Sequence, residues 1–383
     1  MKSLLSENMF VKRMKVALGL VPSAMMVLSS CTQPTANFTG TISGVESDTL
    51  LVFVDHMNER KTIMKDTVAL TNNHFELQIP DSAACIRFMP KPSSPNAPLR
   101  MFQGMPILFF PGDALTIEGS IDNYKVTGSE LYDGLAKYAE IAKMEEQINL
   151  LNQDFSKAYA AKDETEKNRI KKEVGEAYEK LQGAKFAVVK QDPSSIVAAY
   201  FSMQLKPEKG LEAIKLIDGK VKNPSMEIQV QKAKSRYEQS VMREKAKLSV
   251  KAGNISPDFK FTTLDGKEVS LDSFKGKYLL VDFWGTWCGW CVKGIPAMKE
   301  AYEKHKNKVE FLGICCGDTE DKWRKAVAHY QLPWVNVLEG ETKASARFAV
   351  AGYPTKILIG PDGKIIEVFV GETPELYKRL DRI

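Results

Sequence analysis

Hydrophobic and polar positions change their period twice along the chain. From about Asn37 to Gly128 the apolar residues recur at every second position. His74-Phe75-Glu76-Leu77-Gln78-Ile79 and Leu115-Thr116-Ile117-Glu118 both alternate, the period of a strand with one buried face. Apolar runs at Thr49 to Val54 and Ile107 to Phe110 add further strands, and Gly44, Asn72-Asn73, Pro111-Gly112-Asp113 and Gly119 mark turns. The pattern predicts a β-rich domain over 37–128, sandwich or barrel-like. From Ser129 the spacing lengthens to three and four: Leu131, Leu135, Tyr138, Ile141, Ile148, Leu151, Phe155 and Tyr159 form one helical stripe. Lysine and glutamate dominate from Ala160 to Lys185. They read as a solvated helix face held by i,i+4 pairs, with a basic recognition surface as the lesser alternative. Asp192-Pro193-Ser194 and Asn223-Pro224-Ser225 interrupt the pattern, so a helical linker domain of several pieces is expected over 129–250.

Over 251–383 strand and helix patterns alternate. Strands are predicted at Phe259 to Leu264, Tyr278 to Phe283, Val309 to Cys315, Thr355 to Ile359 and Ile365 to Phe369. Helices are predicted at Cys288 to His305, at Thr319 to Tyr330 behind Asp318 as N-cap, and from Pro374 onward. Asp265-Gly266 and Pro361-Asp362-Gly363 make the turns. Strands alternating with helices, closed by a hairpin and a helix, predict an α/β layer.

The N-terminus is patterned differently. Lys12, Arg13 and Lys15 precede an uncharged run from Val16 to Leu28, thirteen residues, with Met9 and Met14 as alternative starts. That run is too short to span a bilayer as a helix but suits the apolar region of a signal peptide. It ends in Leu28-Ser29-Ser30-Cys31, which resembles a lipobox, the site where bacterial lipoproteins are cleaved and acylated. Residues 1–30 are therefore read as a lipoprotein signal peptide and Cys31 as the lipidated residue. This implies lipid anchoring in a bacterial cell envelope, in the outer or the inner membrane, and no later segment reads as membrane-spanning. The 30 residues carry Lys2, Lys12, Arg13 and Lys15 against Glu7, so their removal lowers the net charge from +5 to +2. A nearly balanced mature chain offers no argument for nucleic-acid binding.

Candidate chemistry concentrates in Trp287-Cys288-Gly289-Trp290-Cys291. An apolar strand runs into a Cys-x-x-Cys, and the next helix starts at the cysteines. A thiol at a helix start meets unpaired N–H groups and the positive end of the helix dipole, which favour thiolate. The first cysteine can then attack a disulfide, and the second, one turn on, can resolve the mixed disulfide. With Cys31 lipidated, five cysteines remain, too few for a disulfide scaffold in a chain of this size. The pair has no second ligand pair at metal spacing and the four histidines are scattered, so no metal and no cofactor beyond the redox disulfide is expected. Cys85 is expected to be a buried free thiol. Cys315 and Cys316, adjacent in a strand, point to opposite faces, so a bond between them is not expected. The plain reading is two small thiols with at least one covered; the sharper one is an auxiliary thiol within reach of the Cys288–Cys291 pair.

Val281-Asp282-Phe283-Trp284-Gly285-Thr286-Trp287-Cys288-Gly289-Trp290-Cys291 is similar to the thioredoxin signature. Ser256-Pro257-Asp258-Phe259 and Leu264-Asp265-Gly266-Lys267 resemble the opening hairpin of the TlpA/ResA-like envelope thiol-disulfide oxidoreductases. Gly352-Tyr353-Pro354-Thr355 resembles their cis-proline segment, and Thr319 to Trp334 falls where this family carries a helix-and-strand insertion. The resemblance covers about 130 residues and implies a thioredoxin-like fold. It makes Cys288 an exposed nucleophile, Cys291 the resolving thiol, and Asp282 a buried acid that exchanges a proton with Cys291. The alternative for Asp282 is a solvent-facing strand residue. Pro354 is implied to be cis, with the Tyr353 backbone offered to an extended substrate peptide. Trp287 shields the disulfide, Trp284 packs beneath it, and Trp287, Trp290, Tyr353 and Pro354 form the substrate-binding set. The 37–128 region resembles, more weakly, the β-rich module often placed ahead of such domains in Gram-negative envelope lipoproteins, which implies a Gram-negative cell envelope and a periplasm-facing protein.

Two positions depart from the family pattern. Many relatives carry Glu three residues after the second cysteine, where this chain has Gly294, which implies that Asp282 carries the acid task alone. The dipeptide between the cysteines is Gly289-Trp290, which leaves the redox poise unassigned. The resemblance implies a lipid-anchored reductase of oxidised envelope proteins, for example in cytochrome c maturation, supplied by a membrane thiol electron donor. Two alternatives stand beside it. A peroxiredoxin-like peroxidase shares the Ser256-Pro257-Asp258-Phe259 type of segment, but Thr286 lies two residues before Cys288 rather than the three of a Thr-x-x-Cys site. A non-catalytic ligand-binding lipoprotein is opposed by the intact cysteine pair, Asp282 and Pro354.

Overall fold

The computed structural model describes residues 36–45, 47–59, 61–92, 106–121 and 123–383. The basic N-terminal segment and Cys31 lie outside the described residues. The alternating region forms β1 (Phe38–Ser43), β2 (Thr49–His56), β3 (Thr62–Ala69), β4 (His74–Leu77), β5 (Ala84–Pro90), β6 (Ile107–Phe109), β7 (Leu115–Ser120) and β8 (Asn123–Thr127). They make two four-stranded sheets, ordered β4-β1-β7-β8 and β3-β2-β5-β6. The inward positions of both, among them Phe38, Val52, Phe75, Ile86, Phe88 and Ile117, share one apolar core. Cys85 is a free thiol and only half-buried, a correction to the covered thiol expected. It sits on β5 at an even step from Arg87, on the face away from Ala84, Ile86 and Phe88.

The three- and four-residue period becomes α1 (Glu130–Leu135), α2 (Ala139–Ala160), α3 (Glu164–Gln191), α4 (Ile196–Ser202), α5 (Pro207–Ile217) and α6 (Pro224–Ala246). Side chains cap the starts: Asp163 accepts from Glu166 N, Ser195 from Ala198 N and Asn223 from Met226 N, and Pro207 and Pro224 open their helices. The charged stretch is helical with exposed i,i+3 and i,i+4 ion pairs, such as Arg169 with Glu166 and Glu173. Its inner side buries Ile170, Leu181 and Phe186, and also Lys185, which pairs with Glu145 at 2.6 Å. Gln229 donates to Met57 O, tying the helices to the first domain, and Lys343 pairs with Glu238 at 2.9 Å, tying them to the last.

The last domain contains β9 (Lys260–Thr262), β10 (Glu268–Ser270), β11 (Tyr278–Trp284), α7 (Gly289–His305), β12 (Val309–Cys315), α8 (Glu320–His329), β13 (Val335–Leu338), α9 (Ala344–Arg347), β14 (Thr355–Ile359), β15 (Ile365–Val370) and α10 (Pro374–Leu380). β9 and β10 pair as a hairpin, and the other five strands form a sheet ordered β13-β12-β11-β14-β15. β11 is central, parallel to β12 and antiparallel to β14. Covered on both faces, it reads as a continuous apolar run interrupted only by Asp282. Leu279, Val281 and Phe283 pack on one face with Phe259 and Phe348. Leu280 packs on the other with Met298 of α7 and Leu376 and Leu380 of α10. Asp282 has the parity of Leu280, so it points into the layer that α7 and α10 cover.

One predicted cap moves. Thr319, not Asp318, caps α8, accepting from Lys322 N. The Asp318 carboxylate instead accepts from Thr286 N and Thr286 Oγ1, both at 2.7 Å, and so joins the turn before α7 to the end of β12.

Candidate active site

The polypeptide leaves the C-terminal end of β11 at Trp284 and enters α7 at Gly289. Cys288 is the N-cap of that helix, in extended backbone, and its Sγ accepts the Cys291 N–H at 3.1 Å. A sulfur stands where serine or aspartate normally receives the first orphan N–H groups. Charge on that sulfur is stabilised by the donor and by the helix dipole. Cys288 and Cys291 are joined by a disulfide with Cα atoms 5.3 Å apart.

The expectation of an exposed Cys288 is corrected: only 7% of its surface is accessible. The pair packs in one buried cluster with Trp284, Cys315 and Trp323, and Tyr353 packs against it. Trp287 and Trp290 are what the solvent meets, 56% and 68% exposed. Trp287 is fixed in place. Its Nε1 donates to Cys316 O at 2.9 Å, and its ring meets Tyr353 edge-on at 5.1 Å. It lies so close to the backbone that a Cβ on Gly285 would stand 2.6 Å from Nε1. Trp290 is bound only loosely to its own helix, under the Lys293 ammonium at 5.0 Å.

The Tyr353–Pro354 peptide is cis, and Pro354 O accepts from Gly371 N at 2.8 Å, which holds the segment against the end of β15. Cys315 and Cys316 are free and both buried, more covered than the sequence reading required. Cys315 Sγ lies 3.3 Å from Asp318 Oδ2 and Cys316 Sγ lies 3.5 Å from Ile314 O. Burial pushes both thiols well up, and neighbouring carboxylates add to it. Neither has the thiolate character of a second nucleophile.

Asp282 is 8% exposed and so is not the solvent-facing residue of the alternative reading. Burial pushes its carboxyl up; the Lys356 charge opposes this and the Glu372 charge reinforces it. Lys356 is directly opposite Asp282 on β14 and is 1% exposed. Its Nζ is 3.6 Å from Asp282 Oδ1, a charge contact too long for a hydrogen bond, and 2.5 Å from Glu372 Oε1. Asp282 Oδ1 has no hydrogen-bond partner among the described residues. Tyr377 OH lies 3.4 Å from the other Glu372 oxygen.

Glu372 is a second carboxylate near Asp282, joined to it through Lys356, where the sequence reading saw none. Glu372 comes from the turn after β15, 78 positions beyond Gly294, so local spacing gave no hint of it. Lys356 left a signal: a lysine inside the buried run Thr355-Lys356-Ile357-Leu358-Ile359 needs a counter-charge.

A family model described as Redoxin matches residues 251–381. The chain is 36% identical over 135 residues to "Thiol-disulfide oxidoreductase ResA" of a Bacillus cereus strain, covering 35% of this chain and 77% of that one. It is 31% identical over 130 residues to the protein of the same name from Bacillus subtilis (strain 168), covering 34% and 73%. The solved thioredoxin domain of a thiol-disulfide oxidoreductase from Bacteroides vulgatus shares 31% identity, with 34% of this chain and 96% of that chain covered and a TM-score of 0.33. Fold, site and relatives together define a thioredoxin-fold thiol-disulfide oxidoreductase. The chain belongs to the TlpA/ResA-like family of these enzymes.

Proposed function

We propose that the protein is a lipid-anchored periplasmic reductase of disulfides in other envelope proteins, working through Cys288-Gly289-Trp290-Cys291. In the reduced enzyme the Cys288 thiolate attacks one sulfur of a substrate disulfide. A mixed disulfide forms and the first substrate thiolate leaves. Cys291 then attacks Cys288 Sγ, closing the enzyme disulfide and releasing the second substrate thiolate, so two electrons pass to the substrate. Asp282 takes the Cys291 proton as that attack begins. Trp287, Trp290, Tyr353 and Pro354 form the surface on which the substrate lies, and the Tyr353 backbone pairs with it. A membrane thiol carrier restores the dithiol, and no cofactor beyond the Cys288–Cys291 pair takes part. Apocytochrome c is one substrate of this kind.

The observation that carries the reading is the Cys288 sulfur at the N-cap of α7, receiving the Cys291 N–H. The anchor rests on the basic segment, the short apolar run and Leu28-Ser29-Ser30-Cys31. Insulin-disulfide reduction and peroxide consumption by wild type and Cys288→Ser test the activity. Insulin reduction that is lost in the variant supports the reading. Peroxide turnover without insulin reduction would replace it with a peroxidase.

A further inference from the structure

The layer between β11, β14 and α7 holds three charged side chains where an apolar core would be expected. Asp282 projects from the central strand, Lys356 from its neighbour, and Glu372 reaches in from the turn before α10. Gly294 admits the last of these. A Cβ there would stand 2.8 Å from Glu372 Oε2 and closer still to the rest of the carboxylate, so any larger residue at this position would displace it. Gly294 is three residues beyond Cys291, on the same side of the helix. The cluster therefore meets α7 one turn beyond the resolving cysteine, through Glu372, the most exposed of the three side chains.

The distances are unequal in an informative way. One buried ammonium faces two carboxylates and makes its short hydrogen bond to Glu372 at 2.5 Å, standing 3.6 Å from Asp282, where its influence is weaker. Were Lys356 bonded to Asp282, the aspartate would be a tightly held carboxylate, a poor proton acceptor. Were Lys356 absent, burial would hold Asp282 neutral and unable to accept a proton. We propose that Lys356 and Glu372 are a positioning pair that keeps Asp282 able to both take and give the Cys291 proton, with Glu372 drawing the lysine away from the aspartate. This rests on the role given to Asp282 above. The other groups facing the cluster do not compete: β12 offers Gly313, which has no side chain, and burial keeps Tyr377 on α10 neutral.

The test is the rate of mixed-disulfide resolution against pH, measured by stopped flow in wild type, Glu372→Gln and Lys356→Met. In Glu372→Gln the lysine has only Asp282 to pair with, so the acid limb of the profile should move down by about one pH unit or more. In Lys356→Met the cation is gone and Glu372 repels charge on Asp282, so the limb should move up by a similar amount. Glu372→Asp should return it toward wild type. A merely structural pair would lower the melting temperature and leave the limb in place, and that result, or shifts of the same sign in both variants, overturns the proposal. If Lys356→Met does not fold, the Asp282 side-chain carbon signal in a ¹³C titration of wild type and Glu372→Gln decides: a lower midpoint in the variant supports the pair, an unchanged one refutes it. Asp282→Asn runs in parallel. Wild-type resolution in that variant removes the role of Asp282 itself, whereas a slowed Asp282→Asn with unshifted Glu372→Gln removes only the pair.

Discussion

The carboxylate of Glu372 occupies the space that a side chain on Gly294 would fill, one helical turn beyond Cys291. Gly294 is thus a requirement of the site and not a weak point in α7. Replacing an interior helix glycine with alanine ordinarily stabilises by about 1 kcal/mol. Gly294→Ala should forfeit that gain, because the new methyl group drives Glu372 off Lys356 in a buried layer. Denaturant unfolding checks this, with a midpoint at or below that of wild type expected.

Asp282 gives stability a pH dependence of known sign. Its folded carboxyl titrates above its ordinary value, chiefly through burial. The folded state then binds more protons than the unfolded one between those two values, so this contribution is full below about pH 4 and falls as pH rises through the folded value. Asp282→Asn should fold and should lack that slope, since a neutral amide has no charge to bury. Urea unfolding of both proteins from pH 4 to 9 measures the difference. Resolution of the mixed disulfide in the variant should slow more than its formation, by about 10²-fold or more.

The four thiols of the site should separate by reactivity. After reduction, Cys288 should alkylate first and with an inflection well below the free-thiol value of about 8.5. Cys315 and Cys316, buried and held as thiols, should react only after denaturation. Mass-spectrometric mapping of alkylated peptides against time gives the order.

Gly285 is a probe of the aromatic surface. A methyl group there would press on Trp287 Nε1 and on Cys316 O, 2.6 Å and 3.0 Å away. Gly285→Ala should displace the indole from its bond to Cys316 and lower kcat/KM for protein disulfides by about tenfold, near 1.4 kcal/mol. Reduction of a small disulfide by the same variant should fall less.

The N-terminal reading is checked by intact mass. The native protein should begin at Cys31 and carry acyl chains, and Cys31→Ala should remain unacylated and leave the membrane fraction.

Much of this was legible before any coordinates. The period-two and period-3.6 stretches mark strands and helices because burial of one face leaves a trace in the sequence, and the Cys-x-x-Cys after an apolar strand marks the helix start that activates it. What stayed hidden depends on tertiary contact. Glu372 looks like one more surface acid after a strand, and only the packing of its turn against α7 carries it to Gly294. Asp318 has the chemistry of a cap, but Thr286 claims its carboxylate and the cap passes to Thr319. Cys288 reads as exposed because a nucleophile must be reached, whereas the disulfide packs into a buried cluster with Trp284, Cys315 and Trp323. Lys356, a cation within five buried positions, left a signal that the sequence reading did not take up.

The division of labour in which Cys288 attacks and Cys291 resolves is tested most directly by mass spectrometry. The reduced Cys291→Ala variant is mixed with a disulfide-bonded protein such as insulin, and its peptides are mapped. A stable mixed disulfide on the Cys288 peptide is expected, absent when Cys288 is also replaced. An adduct on Cys315 or Cys316, or none on Cys288, would contradict the assignment.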